Sequence, residues 1–320
     1  MKILFTGGSS FTGCWFIREL ARAGHEVVAT FRTSPQDYAD EVRRSRVSVA
    51  LEHCRPVFGC SFGDPAFIEL ARGETWGAFC HHAADVTNYK SESFDVVSAL
   101  GNNTRNISAV FEALKHQGNR APAIIVTGSG FENDEGAGSE GLPAFSPYGL
   151  SKSFTYQVFR YHAARAGLVL GKFVVPNPFG PLEDPRFTAY LMKTWFSGKV
   201  AGVNTPAYVR DNIHISLLAK AYVHFVGRLA DGLVVRDLRP SGYVESQGVF
   251  AMRFAREMRV RLPLSCELDL KHQIEFPEPR IRINTDQIDG AIFGWNESAA
   301  WDEVAEYYRR QFGSSPSNTG

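Results

Sequence analysis

Four residues apart in Ser146-Pro147-Tyr148-Gly149-Leu150-Ser151-Lys152 stand a tyrosine and a lysine, the pair in this chain best suited to moving a proton. Pro147 favours a first helical turn, and the four-residue spacing puts Tyr148 and Lys152 on one helical face. A free phenol ionises only near about pH 10, so Tyr148 needs help near neutrality, and a close ammonium favours its phenolate. Upstream, Val126-Thr127-Gly128-Ser129-Gly130 ends an apolar run. Ser129 there can hydrogen-bond the same substrate oxygen that Tyr148 protonates or deprotonates. The three suit acid–base work at a carbinol or ketone.

Such work needs a scaffold and an electron carrier, and the first thirteen residues point to both. Lys2 to Phe5 is a short apolar run fit for a buried parallel strand, and Gly7 begins a tight turn. From Gly13 the apolar residues take a helical period, Trp15, Phe16, Leu20 and Ala23, until Gly24. Strand, glycine turn and helix present backbone N–H groups and the positive end of a helix dipole to a pyrophosphate. Gly7 allows the sharp turn and Gly13 close packing of helix on sheet, while Ser10 stands where many dinucleotide folds have glycine. The second apolar run, Glu26 to Phe31, ends at Arg32. A carboxylate at that place holds the ribose hydroxyls of NAD, whereas an arginine accommodates a 2′-phosphate. Arg32 therefore favours NADP, with NAD as the alternative. Asp37 and Asp40 fall in a polar stretch that reads as loop or short helix. An oxidised nicotinamide, being positively charged, further favours a Tyr148 phenolate.

Further strands are expected at Pro56–Gly59, Ala78–His81, Ala123–Thr127 and Leu168–Val175. Helices are expected at Pro65–Arg72, Phe94–His116 and Pro147–Ala166. Strands alternating with helices predict an α/β fold, a doubly wound parallel sheet covered on both faces. Prolines 176, 178, 181 and 185 break the rhythm. The chain therefore divides into a dinucleotide-binding domain over residues 1–175, to which 204–238 returns, and a smaller C-terminal substrate-binding lobe over 176–320. Strand and helix reappear at Tyr208–Leu229, Val260–Ile283 reads as loop-rich, and Trp301–Phe312 as a closing amphipathic helix. Ser314 to Gly320 reads as a frayed tail.

Lysine plus arginine balances aspartate plus glutamate, 34 each, so no basic excess points to nucleic acid or acidic lipid. No apolar run is long enough to cross a membrane, and Met1 leads straight into the first strand with no room for a signal peptide. A cytoplasmic protein is expected. The five cysteines show no C-x-x-C spacing and read as buried free thiols, and no metal site is expected. His81 and His82 do not make one, because neighbours on a strand face opposite ways.

The chain resembles the extended short-chain dehydrogenase/reductases of the NAD-dependent epimerase/dehydratase family. The likeness rests on Thr6 to Gly13, His81-His82-Ala83-Ala84, Thr104-Arg105-Asn106, and Ser129 with Tyr148 and Lys152. Asn177-Pro178-Phe179-Gly180-Pro181 and Arg210-Asp211-Asn212-Ile213-His214-Ile215 complete it. The resemblance implies that Gly7, Ser10, Phe11 and Gly13 line the pyrophosphate turn, and that Ala83 and Ala84 lie beside the cofactor ribose. Ser61 stands where the family's acidic adenine contact is absent, and Lys152 also bonds the nicotinamide ribose. Asn177, Arg210 and, by a looser match, Arg282 correspond to positions that hold the diphosphate of a nucleotide-sugar. Ser129 contacts the sugar oxygen. A homodimer through the helices Phe94–His116 and Pro147–Ala166 is also implied.

Within the family, 4,6-dehydratases carry Asp and Glu after the strand-end Ser/Thr, where this chain has Gly130 and Phe131. Dehydration is therefore not expected unless the register slips to Glu132 or Asp134. No second acid/base pair for ring-carbon epimerisation is evident. The resemblance implies hydride transfer on a nucleotide-activated sugar. NADPH-dependent reduction of a 4-keto sugar ranks first on the strength of Arg32. A nucleotide-sugar 4-epimerase with tightly bound NAD(P) is the alternative, followed by a non-sugar carbonyl reductase or a non-catalytic cofactor sensor.

Overall fold

The computed structural model describes residues 1–115, 121–139, 141–233 and 237–313. The expected tail from Ser314 onward and the end of the expected helix at His116 lie outside the described residues. Strands β1 (Lys2–Thr6), β2 (Glu26–Phe31), β3 (Arg55–Phe58), β4 (Ala78–His81) and β5 (Ala123–Ser129) pair in parallel. Leu170–Val175 and Asp237–Leu238 extend the sheet beyond β5, giving seven strands in the order Asp237–Leu238, Leu170–Val175, β5, β4, β1, β2, β3. The order reverses between β1 and β4, and at such a switch point the carboxyl ends of the strands open a crevice for ligand. This is the doubly wound fold expected from the alternation.

Each face of the sheet is sealed by aromatic packing. On one face α1 (Phe11–Arg22) and the helix Ile215–Ala230 meet over Phe5, and the rings of Phe16 and Tyr222 stack at 4.0 Å. On the other, α3 (Pro65–Gly73), α5 (Ile107–Lys115) and α6 (Pro147–Ala166) bury Phe67, Phe111 and Phe159. Full burial of such side chains contributes about 1.5–3 kcal/mol each. A third core, built on Phe179, Trp195, Phe254 and Trp301, belongs to the C-terminal part. There Val209–His214 pairs with Asn177–Phe179, Tyr243–Ser246 and Ile281–Ile283 in a second, mixed sheet.

Three segments differ from the sequence expectation. The helix expected over Phe94–His116 is two, α4 (Val96–Asn103) and α5, parted where Asn106 takes φ +49° and its amide donates to the Gly63 carbonyl. The polar stretch after Asp40 is a full helix, α2 (Glu41–Leu51), which Asp40 caps by accepting from the Arg43 N–H. Two further helices, Phe187–Phe196 and Gln247–Arg259, lie in the proline-broken half. By contrast α6 begins and ends where the sequence places it. Ser146 caps its start, accepting from the Gly149 N–H, and Gly167 at φ +68° stops it.

Candidate active site

A cleft of about 670 Å³ opens along the carboxyl ends of β1, β2, β4 and β5, within the range of small-molecule and cofactor sites. Its floor is the glycine turn. Gly7 has φ +87°, and a Cβ there would lie 2.7 Å from the Ala83 nitrogen; a Cβ on Gly13 would lie 2.2 Å from the Gly7 carbonyl oxygen. Both positions must therefore stay bare for β1, β4 and α1 to approach. Ser10 caps α1, its Oγ accepting from the Gly13 N–H at 3.0 Å and donating to the Gly7 carbonyl. Its hydroxyl is thus tied to the turn's own backbone, and Ser10 still lines the cleft. The N–H groups of Phe11 and Thr12, in the first turn of α1, have no acceptor within the helix. They border the cleft with Gly7, Gly8 and Ser9. That donor set, at the positive end of a helix, fits a dinucleotide pyrophosphate.

Ala83 and Ala84 line the cleft beside the turn, Ser61 lies beyond β3, and Arg32 stands exposed at the mouth, hydrogen-bonded to no described residue. Gly13 lies behind the lining, in packing contact with the turn. Arg43, which sequence reasoning missed along with the rest of α2, reaches the same end and donates to Ser9 Oγ at 3.2 Å. Arg46 is nearby but engaged, bonding the Leu182 carbonyl and Asp184.

Ser129, Tyr148 and Lys152 line one stretch of this cleft. Lys152 is buried and donates to the Thr127 carbonyl at 2.6 Å. Burial, with the nearby Lys172 charge acting the same way against the pull of Glu132, lowers its pKa to about 8. The Tyr148 ring packs edge-on against Tyr89 and Phe94. Burial first, and then the Glu132 carboxylate, push its phenol above the ordinary value. Without a bound ligand Tyr148 is a neutral phenol at pH 7, ready to donate.

The Ser129 loop is fixed from below. Glu132 is buried, and its Oε1 accepts from the Ser129 N–H at 2.8 Å while Oε2 lies 2.6 Å from Lys172 Nζ. Lys172 also pairs with Glu135, which Arg239 reaches from the other side at 2.7 Å. Glu132 is therefore not free as a base, and Asp134, at φ +59°, is hydrogen-bonded to Asn133. Neither side chain lines the cleft.

The nucleotide-sugar residues implied by the sequence divide. Asn177 lines the cleft. Arg210 and Arg282 line instead a pocket of about 20 Å³ that adjoins it at Phe131, Pro176 and Asn177. Arg210 pairs with Glu278 at 2.9 Å and bonds the carbonyls of Val209 and Pro279. Arg282 is buried and donates to the carbonyls of Gly130, Glu132 and Pro143, clamping the loop that carries Ser129. Arg186 is the arginine that faces the cleft near Tyr148, donating to the Tyr89 hydroxyl. His81 and His82 point to opposite faces: His81 packs on Phe62 and Phe159, His82 on Phe5 and Phe16. No group of metal ligands occurs among the described residues, and the five thiols are free.

The pH dependence follows from Lys152. Its ammonium is lost as pH rises through about 8, and with it a positive charge in the stretch of cleft that holds Tyr148. We expect kcat/KM to fall on the alkaline side with an apparent pKa near 8, and Lys152→Arg to move that limb upward. A profile flat to pH 10 contradicts this.

A model of the NAD dependent epimerase/dehydratase family matches residues 3–237. No curated protein matches the chain significantly. Among solved structures, the UDP-glucuronic acid 4-epimerase of Bacillus cereus, in complex with UDP-glucuronic acid and NAD, superposes with a TM-score of 0.72. It is 15% identical, with 98% of this chain and 100% of that one covered. The UDP-glucose 4-epimerase of Thermotoga maritima, solved with UDP-glucose, gives 0.69 at 18% identity, covering 97% and 99%. The UDP-glucose-4-epimerase of Stenotrophomonas maltophila, with bound NAD and formylated UDP-arabinopyranose, gives 0.71 at 19%, covering 98% and 100%. At these identities the likeness is one of fold.

Proposed function

The chain belongs to the NAD dependent epimerase/dehydratase family, and from that premise we propose that it is a nucleotide-sugar 4-epimerase that retains its nicotinamide dinucleotide. The observation that carries the proposal is the single cleft in which the glycine turn, Ser129, Tyr148, Lys152 and Asn177 meet. The division into a dinucleotide-binding part over residues 1–175, rejoined by 204–238, and a substrate lobe over 176–320 is part of it.

A nicotinamide held there would supply both acceptor and donor of a hydride at one place. The protein's own share is protonic and positional. Tyr148 Oη exchanges a proton with the C4 oxygen, the Lys152 ammonium favours the phenolate form, and Ser129 holds the same oxygen. A planar ketone offered on its two faces in turn inverts a carbon with one acid/base. The lack of a second pair at Gly130 and Phe131 is thus no obstacle to 4-epimerisation, while it counts against dehydration. The solved relatives support the same choice, since each of the three described above is a 4-epimerase of a UDP-sugar. They outweigh the ranking of 4-keto reduction first, which rested on Arg32 alone.

The phosphorylated cofactor remains our choice. The β2 end reads Phe31-Arg32 with no carboxylate, and Arg43 joins it at Ser9. An NAD-loaded protein would favour instead Asp40 or Asp85, carboxylates that line the cleft at this end. The test is to denature the purified protein and to quantify and identify the nucleotide released. Near-stoichiometric NADP is expected. Bound NAD would remove the Arg32 and Arg43 assignment, and an empty protein that consumes NADPH with a 4-keto sugar would restore the reductase.

We further propose a homodimer through the segment Phe94–His116, which holds α4 and α5, and α6, on which Val97, Phe154 and Tyr161 are exposed. Sedimentation at micromolar concentration should show a dimer that Phe154→Arg splits; a wild-type monomer contradicts it.

A further inference from the structure

We infer that His82 is a positioning residue for the cofactor, its ring tying the pyrophosphate turn to the strand end that holds Lys152. The ring lies between the two. Its Nε2 is 3.0 Å from Ser10 Oγ and 3.0 Å from Thr12 Oγ1, and its Nδ1 is 2.9 Å from Thr127 Oγ1. The Thr127 carbonyl in turn accepts from Lys152. Phe5 stacks on the imidazole at 5.7 Å and Phe16 meets it edge-on at 5.2 Å, so the ring has little freedom to leave this place.

The hydrogen-bond inventory assigns the proton. Ser10 Oγ donates its hydrogen to the Gly7 carbonyl and accepts from the Gly13 N–H. Towards His82 it can therefore only accept, which requires Nε2–H. A neutral imidazole then has a lone pair on Nδ1, and the Thr127 hydroxyl donates to it. Packed under the loop and beside the Lys152 charge, the ring stays neutral across the working pH range. It is a fixed strut.

The arrangement explains how the turn carries Ser10 in place of a glycine. The hydroxyl is drawn down onto His82, so the side chain does not occupy the anion's place. Apolar substitution at position 82 would leave the buried Thr127 hydroxyl without its acceptor, which is costly, and would remove the N–H that holds Ser10 Oγ and Thr12 Oγ1 together. The loop would then shift to find partners, and the dinucleotide would lose its pre-set donors.

The inference rests on the reading of the cleft as a dinucleotide site, and the experiment separates the two. Release of bound dinucleotide from the full-length protein and the Kd of emptied protein for NADPH and NADH are measured for wild type, His82→Leu and the triple variant Ser10→Gly/Thr12→Val/His82→Leu. Cofactor-induced rise in Tm is recorded for each. His82→Leu should bind roughly tenfold more weakly and show a smaller cofactor-induced rise, while the triple variant, which gives the turn a glycine that needs no tether and removes both side chains that faced Nε2, should recover to within about threefold. A residue that only stabilised the fold would lower both Tm values together and leave the rise unchanged. Should His82→Leu not fold, Thr127→Val removes the Nδ1 partner alone and should weaken binding in the same direction. Wild-type affinity in the single variants, or equal loss in single and triple variants, would overturn the inference alone. A wild-type protein that binds no dinucleotide would overturn the cofactor reading and this one with it.

Discussion

Tyr148→Phe should lower the proposed epimerisation by roughly 10²–10⁴-fold, the usual contribution of a positioned general acid/base, and leave the fold intact. The phenol hydroxyl is the only group removed, and the ring keeps its edge-on contacts with Tyr89 and Phe94. The described neighbours are engaged elsewhere, Tyr89 Oη with Arg186 among them. Ser129 has no carboxylate or imidazole to activate it, Glu132 is spent on the Ser129 N–H and Lys172, and Lys152 is bonded to the Thr127 carbonyl. The loss should fall on kcat with cofactor still retained, which turnover and nucleotide content measured on the same sample will show. Activity within tenfold of wild type would mean that another group moves the proton.

Lys172→Met should cost about 3–5 kcal/mol of stability, because removing one partner of a buried ion pair leaves uncompensated charge. Here the change leaves two buried carboxylates, Glu132 and Glu135, of which Arg239 reaches only the second. The loss should be partly recovered in Lys172→Met/Glu132→Gln, where one of the two charges is gone. Activity should suffer as well, because Glu132 anchors the Ser129 N–H. Urea midpoints decide the matter, provided the m-value is unchanged. A loss under about 1 kcal/mol would show the cluster to be open to water and its charges already screened.

The parts of this molecule that could be read in the sequence are those whose determinants are local. The turn after β1 follows from Gly7, whose positive φ suits glycine, and α6 from Pro147 at its start and Gly167 at its end. The alternation of apolar runs with helical periods then dictates a covered parallel sheet, and a strand-end Ser129 with Tyr148 and Lys152 follows from their spacing. The unread parts depend on tertiary contacts. Helix α2 holds three arginines and only Val47, Ala50 and the Arg46 stem on its buried side, too thin a stripe to show a period. The break between α4 and α5 is made by Asn106 reaching the Gly63 carbonyl, forty-three residues away.

Site chemistry divided on the same line. Arg210 and Arg282 match a pattern in type and order, yet their guanidinium groups bond carbonyls and Glu278 supplied by other segments. His82 could be seen as turned from His81, but its three hydroxyl partners come from the glycine turn and from β5. Arg43 reaches the cleft only because α2 folds back over Ser9.

The most direct test of the central claim is to incubate the purified protein, with no added cofactor, with a panel of nucleotide-sugars and follow the configuration at C4 by NMR. Approach to an equilibrium between the two C4 epimers of one nucleotide-sugar, with no net change in nicotinamide absorbance, is the predicted result. No epimer from any member of the panel, together with stoichiometric NADPH consumption when a 4-keto sugar is supplied, would contradict it.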